Sequence, residues 1–163
     1  MGEGKSFRCR RCGHEEIIHT GIGFGFPQLY EDVVRKIRKG EYGQEWKRRF
    51  ESVPGAAVNA EMLLYVCSGC GCCREDLNLS LYEPVNPAAV CETVDIFCGA
   101  NPAEDVDYVM PNRLSREYRK IKAFTHVCPE CGKRMHQYKD GERIVCPKCR
   151  EGKMEPAGEI LWD

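Results

Sequence analysis

The chain has 163 residues, 42% of them hydrophobic, with twelve cysteines, sixteen glycines, nine prolines and a formal net charge of −1. That length allows one ordinary domain or two small ones, and without its cysteines the chain is too poor in apolar residues for one large core, so a metal or disulfide staple is expected. The near-neutral charge argues against a general nucleic-acid binder, and no run of about 18 apolar residues offers a membrane-spanning helix.

The opening stretch, MGEGKSFRCRRCG, lacks the apolar core of a secretory signal. FRCRRCGHEEIIHTGIG then reads as a cysteine turn followed by a strand. GIGFGFP alternates glycine with Ile22, Phe24 and Phe26. It mimics a phosphate-cradling loop only superficially, because no parallel-strand unit surrounds it and no lysine follows, so a glycine-bearing strand end is expected. PQLYEDVVRKIRKG predicts a helix from Pro27 to Gly40, with Leu29, Val33 and Ile37 on one face and Tyr30 and Val34 beside them. Its basic end, Arg35, Lys36, Arg38 and Lys39, suits the negative pole of the helix dipole. GQEWKRRFES predicts a second short helix that pairs Trp46 with Phe50.

EMLLYVCSGCG reads as a strand running into another cysteine turn, and LNLSLYEP alternates Leu77, Leu79 and Leu81 as a further strand would. Residues 84–122 are rich in Pro, Asn and acid and read as a connector, with one short strand and a helix at about 113–122. The last stretch contains CPECGKRMHQYKDGERIVCPKC. Two cysteine turns flank two short alternating strands around Asp140-Gly141, a hairpin signal, and GEILWD can add a third strand.

Eight of the twelve cysteines form four Cys-x-x-Cys pairs, a spacing routine for zinc and rare in disulfide scaffolds. It points to a reducing, cytoplasmic setting. A hairpin brings its own ends together, so Cys128, Cys131, Cys146 and Cys149 are expected to share one ion. Cys9, Cys12, Cys67 and Cys70 are expected to share a second, with a helical insert between the two turns. Crossed sharing, in which N-terminal turns join C-terminal ones, closes much longer loops and is not the expectation. In the cluster at Cys67, Cys70, Cys72 and Cys73, the glycine after Cys70 matches those after Cys12 and Cys131, so Cys67 and Cys70 are taken as the ligands. Two structural zinc ions are expected, iron being the lesser alternative at the same geometry.

Cys72, Cys73, Cys91 and Cys98 stand outside the four pairs, either as ordinary small thiols or in a metal or redox role. His14 and His126 sit beside cysteine turns and could tune or join a site, but no nucleophile has an obvious base.

Through these eight cysteines both halves resemble zinc ribbons, and the chain is similar to small bacterial proteins with two four-cysteine ribbons, the first interrupted by a YEDVVRKIRKGEYG-like insert. The resemblance carries no activity. The resulting expectation is a small α+β protein with two zinc ribbons built on rubredoxin-like knuckles. Residues 1–83 form the first ribbon, split by an insert at about 27–52; 84–122 form the connector; 123–163 form the second ribbon. The expected role is a non-enzymatic adaptor for a protein partner, with nucleic acid second and no membrane. The alternative is redox or metal handling through iron or the Cys72/Cys73 thiols.

Overall fold

The computed structural model describes residues 2–87 and 108–162. Its elements are β1 (Gly2–Cys9), β2 (Glu15–Gly21), α1 (Phe26–Lys39), α2 (Gln44–Ser52), β3 (Ala57–Val58), β4 (Met62–Cys67), β5 (Cys73–Leu77) and β6 (Leu81–Pro84). Within the expected connector lie α3 (Pro111–Glu117) and β7 (Tyr118–Lys122), and after it come β8 (Met135–Gln137), β9 (Ile144–Val145) and β10 (Lys153–Trp162). The chain is a small α+β protein with antiparallel pairings throughout the described strands. No helix among the described residues is long and apolar enough to cross a membrane.

Two compact units draw on separated stretches of sequence: Met1–Gly25, Glu61–Asn78 and Phe124–Asp163 form the first, Phe26–Ala60 and Leu79–Ala123 the second. The first unit is one seven-stranded sheet of order β5-β4-β2-β1-β10-β9, with β8 on β4. β1 pairs along its whole length with β10, from Gly2↔Trp162 to Cys9↔Met154. The expected C-terminal hairpin does not form. Its turn is present, with Gly141 at φ 84° and Glu142 N–H donating to Lys139 carbonyl at 3.0 Å. Its two strands diverge, however: β8 pairs with β4 and β9 with β10. Strands of three and two residues cannot hold each other, and longer strands take both. One continuous sheet therefore stands where two separate ribbons were expected.

β4, MLLYVC, explains its own unbroken apolar run. Leu64 and Val66 enter a cluster with Phe7, Cys9, Ile18, Ile144, Cys146 and Met154, while Tyr65 and Cys67 point the other way to Cys128 and Met135. Alternation along a strand with both faces covered yields two cores from six residues.

In the second unit α1 buries Phe26, Tyr30, Val33, Val34 and Ile37 and ends at Gly40, φ 80°. α2 buries Trp46 and Phe50. The strand expected from Leu77 to Leu81 is broken, because Leu79 takes a left-handed φ of 58° and donates to Asn59 carbonyl at 2.8 Å. The Leu79 carbonyl accepts the Trp46 indole N–H at 3.0 Å. The helix expected at 113–122 stops at Glu117, where the backbone turns extended and β7 pairs with β6 in the sheet β3-β6-β7. The short strand expected in the connector, Cys91 and Cys98 lie outside the described residues.

Candidate metal centres

Each cysteine turn is built the same way. The amide of the residue after the second cysteine donates back to the carbonyl of the first: Gly13 to Cys9, Gly71 to Cys67, Gly132 to Cys128 and Arg150 to Cys146, at 2.9–3.0 Å. The amide of each first cysteine is also tied, at 2.8 Å, to the carbonyl of His14, Cys72, Lys133 or Gly152. Closing the turn this way demands positive φ, and Gly13, Gly71 and Gly132 supply it at 70–71°. The fourth turn uses Arg150 at φ 58°, an uncommon conformation for a residue with a Cβ.

The turns share sulfur in the crossed sense. Cys9, Cys12, Cys146 and Cys149 bring their Sγ atoms within 4.8 Å of one another, and so do Cys67, Cys70, Cys128 and Cys131. The eight cysteines singled out from the sequence are thus brought into two groups of four, but neither group is the one expected. The reason is the strand pairing. β1 and β10 carry Cys9 toward the segment before β10, while β4 and β8 carry Cys67 toward the turn before β8.

The donor chemistry fits a tetrahedral cation. With metal–sulfur bonds of 2.3 Å, as for zinc, the sulfurs of a tetrahedron lie about 3.8 Å apart. The separations here are 3.7 Å for Cys9–Cys149, Cys12–Cys146, Cys70–Cys128 and Cys70–Cys131, and 3.4 Å for Cys67–Cys131. Cys9, Cys12, Cys146 and Cys149 would hold one ion and Cys67, Cys70, Cys128 and Cys131 the other, each as a closed four-thiolate set.

The electrostatics favour cation capture. The Cys70 amide, together with the Gly69 amide at 3.3 Å, brings the Cys67 thiol down to about 6 against the opposition of burial. The Gly152 amide brings Cys149 down to about 7, and the Cys12 amide lowers Cys9. At Cys128 burial is the largest influence and acts upward, but the Cys72 thiol and the Cys131 and Glu130 amides outweigh it and the net shift is downward. In each group one thiol moves the other way. The His14 amide pulls Cys12 down, yet burial and Cys9 push it to about 11; the Lys133 amide pulls Cys131 down, yet Cys67 and burial push it to about 12. Four like charges cannot share so small a volume unaided, and a divalent cation bound by the four sulfurs would favour loss of the last protons.

Two thiols outside the groups lie against them. Cys72 packs on the cluster of Tyr65, Cys67, Cys128 and Met135, with its Sγ 3.2 Å from that of Cys128. Cys73 packs on the cluster that contains Cys9 and Cys146, and burial, then the charge of Glu16, pushes its thiol to about 12. The sequence offered the adjacency of these cysteines as a signal, but not their division between the two groups.

Neither histidine beside a turn joins a sulfur group. His14 contributes its carbonyl to the Cys9 amide. His126 is buried, its ring 3.9 Å from that of Tyr65, with Nδ1 3.4 Å from Asp76 and Nε2 3.3 Å from Asn78 carbonyl. GIGFGFP is a strand end, with Gly21 closing β2 at φ 86° and Phe26 buried at the start of α1; Phe24 stands 83% exposed. At the basic end of α1, Arg35 pairs with Asp32.

No protein-family model, no curated protein and no solved structure matches the chain.

Proposed function

We propose that the protein is a non-enzymatic zinc-binding module whose two four-thiolate centres are structural, and that it serves in the cytoplasm as an adaptor for a protein partner. The observation that carries the metal reading is the convergence of four identically folded turns into two groups of four sulfurs from distant parts of the sequence. Closed sets of this kind leave no coordination position for substrate, and their role is to replace missing hydrophobic core. Zinc is preferred over iron because it binds such sets without a redox requirement. The adaptor reading draws on large apolar side chains left in solvent on the first unit, Phe24 and Leu161 foremost.

Native mass spectrometry and elemental analysis of protein purified under reducing conditions test the metal reading. Two zinc ions per chain, with loss of the β-sheet circular dichroism on chelation, support it. Iron in either centre, or a fold indifferent to chelation, would sink it. Nucleic-acid binding is the second reading for the partner. It requires steeply salt-dependent affinity, weakened by charge reversal at Arg35, Arg38 and Lys39.

The contact of Cys72 with Cys128 favours one other reading, metal handling at the second centre.

A further inference from the structure

A fifth sulfur lies against the four of the second centre. Besides Cys67, Cys70, Cys128 and Cys131 there is Cys72, whose Sγ touches that of Cys128 at 3.2 Å and lies within reach of Cys70. The first centre has no equivalent: among the described residues Cys73 lies against its cluster without a sulfur–sulfur contact.

The position of the fifth sulfur is informative. It sits on the Cys70–Cys128 edge of the sulfur tetrahedron. The opposite edge is Cys67–Cys131, 3.4 Å long. A ligand entering across one edge of a tetrahedral d¹⁰ ion expels a ligand from the far side through a five-coordinate state, which zinc tolerates. Of the two far-side ligands, Cys67 is buried at the end of β4 and its amide is tied to Cys72 carbonyl at 2.8 Å. Cys131 is exposed, at the tip of its turn. Of the two, Cys131 is therefore the ligand free to leave when Cys72 enters.

We infer that the second centre is an exchangeable metal site, in which Cys72 takes the coordination place of Cys131 and so opens the exposed side of the ion, which Cys131 has left, to the thiolate of a thiol-bearing acceptor. The step balances without a redox partner. One metal–sulfur bond forms at Cys72 and one breaks at Cys131, and a proton leaves the first thiol as one joins the second. Four thiolates hold the ion before and after. The inference rests on the metal reading above.

The test uses the full chain loaded with zinc, or with cobalt(II) as an optical probe of sulfur ligation. Cys131→Ser is expected to keep two metals and all-sulfur coordination, because Cys72 fills the vacant place. Cys72→Ser is expected to keep both as well, but to give up its second metal to a chromophoric chelator at least about tenfold more slowly than the wild type. The double variant is expected to lose one thiolate from the second centre, seen as a weaker sulfur-to-cobalt charge-transfer band and rapid loss to the chelator. Cys12→Ser at the first centre is the control and loses one thiolate without rescue. If Cys131→Ser behaves as the double variant does, or Cys72→Ser exchanges as fast as the wild type, the inference is overturned. A wild-type chain with fewer than two metals overturns the metal reading itself, whatever Cys72 does.

Discussion

The Val145 amide donates to the Gly71 carbonyl at 2.8 Å. Gly71 closes the turn of Cys67 and Cys70, and Val145 precedes Cys146, so one backbone hydrogen bond joins the two metal centres. It also brings the far end of the sheet, β9, against the turn that leads into β5 at the other end. A Cβ at position 71 would lie 2.6 Å from Val145 Cγ2.

Gly71→Ala is therefore penalised twice, by a left-handed backbone and by displacement of Val145. We expect a loss of about 2–4 kcal/mol in chemical denaturation of the metal-loaded protein. Gly132→Ala has the same φ, 70°, but open space where its Cβ would stand, and should cost only about 1–2 kcal/mol. Equal costs would mean that the Gly71–Val145 approach is not part of the stable fold.

Arg150 occupies the conformation for which the other three turns use glycine. Replacement by glycine relieves about 1–2 kcal/mol of backbone strain but gives back part of that in unfolded-chain entropy. It also removes an exposed ion pair with Glu130, 3.0 Å apart, which contributes at most about 1 kcal/mol. Arg150→Gly should leave stability unchanged or raise it by up to about 1 kcal/mol, measured as a shift in the denaturation midpoint. A marked loss would show that the Arg150–Glu130 pair matters more than the backbone.

Crossed sulfur sharing has a direct chemical signature. In a Cys146→Ser, Cys149→Ser variant the first centre loses half its ligands, so Cys9 and Cys12 should become open to mild alkylation. Cys67 and Cys128, the buried members of the other group, should stay protected. Peptide mapping reads the outcome. Protection of Cys9 with reaction at Cys128 is the result a local hairpin site predicts, and it would overturn the arrangement described here.

Asp76 makes a pH-dependent contribution. Burial raises its carboxyl, but the hydrogen bond from His126, the charge of Arg74 at 3.0 Å and the Leu77 amide bring it below the usual carboxylate value of 3.8. A carboxyl depressed in the folded state stabilises fully above its unfolded-chain value and loses that contribution as pH falls through the native one. The stability gap between wild type and Asp76→Asn should be constant from neutral pH to about 5 and close toward pH 3. A gap that closes between pH 6 and 7 would assign the effect to another group.

The local parts of this molecule were readable from its residues. The four turns, the glycine after each of three of them, and the burial of Tyr30, Val33, Val34 and Ile37 on α1 follow from spacing, although Leu29, expected on the same face, is only half-buried. The sharing of sulfur was not, because a Cys-x-x-Cys turn is complete in itself and carries no mark of its partner. Loop length does not decide the sharing. Closing a loop of about 130 residues rather than 14 costs only about 2 kcal/mol more. The pairing of β1 with β10 along its whole length outweighs that. Asp140-Gly141 did mark a turn, but a turn does not oblige the strands beside it to pair. Leu79 escaped notice for a different reason: its left-handed backbone answers to the Trp46 indole and the Asn59 carbonyl, groups far away in the sequence.

Because β1 lies between β2 and β10, it cannot be completed on both sides until β10, the latest of the described strands in sequence, has been made. Cys9 and Cys12 wait equally long for Cys146 and Cys149. Throughout translation they form a half-site with two thiols, able to capture stray metal or oxidant. Phe26–Ala60 and Leu79–Ala123, the stretches of the second unit, all precede Phe124 and have emerged by then. The half-site is thus most exposed during synthesis, and a shortage of the cation it would share with Cys146 and Cys149 would leave β1 beside an open sheet edge.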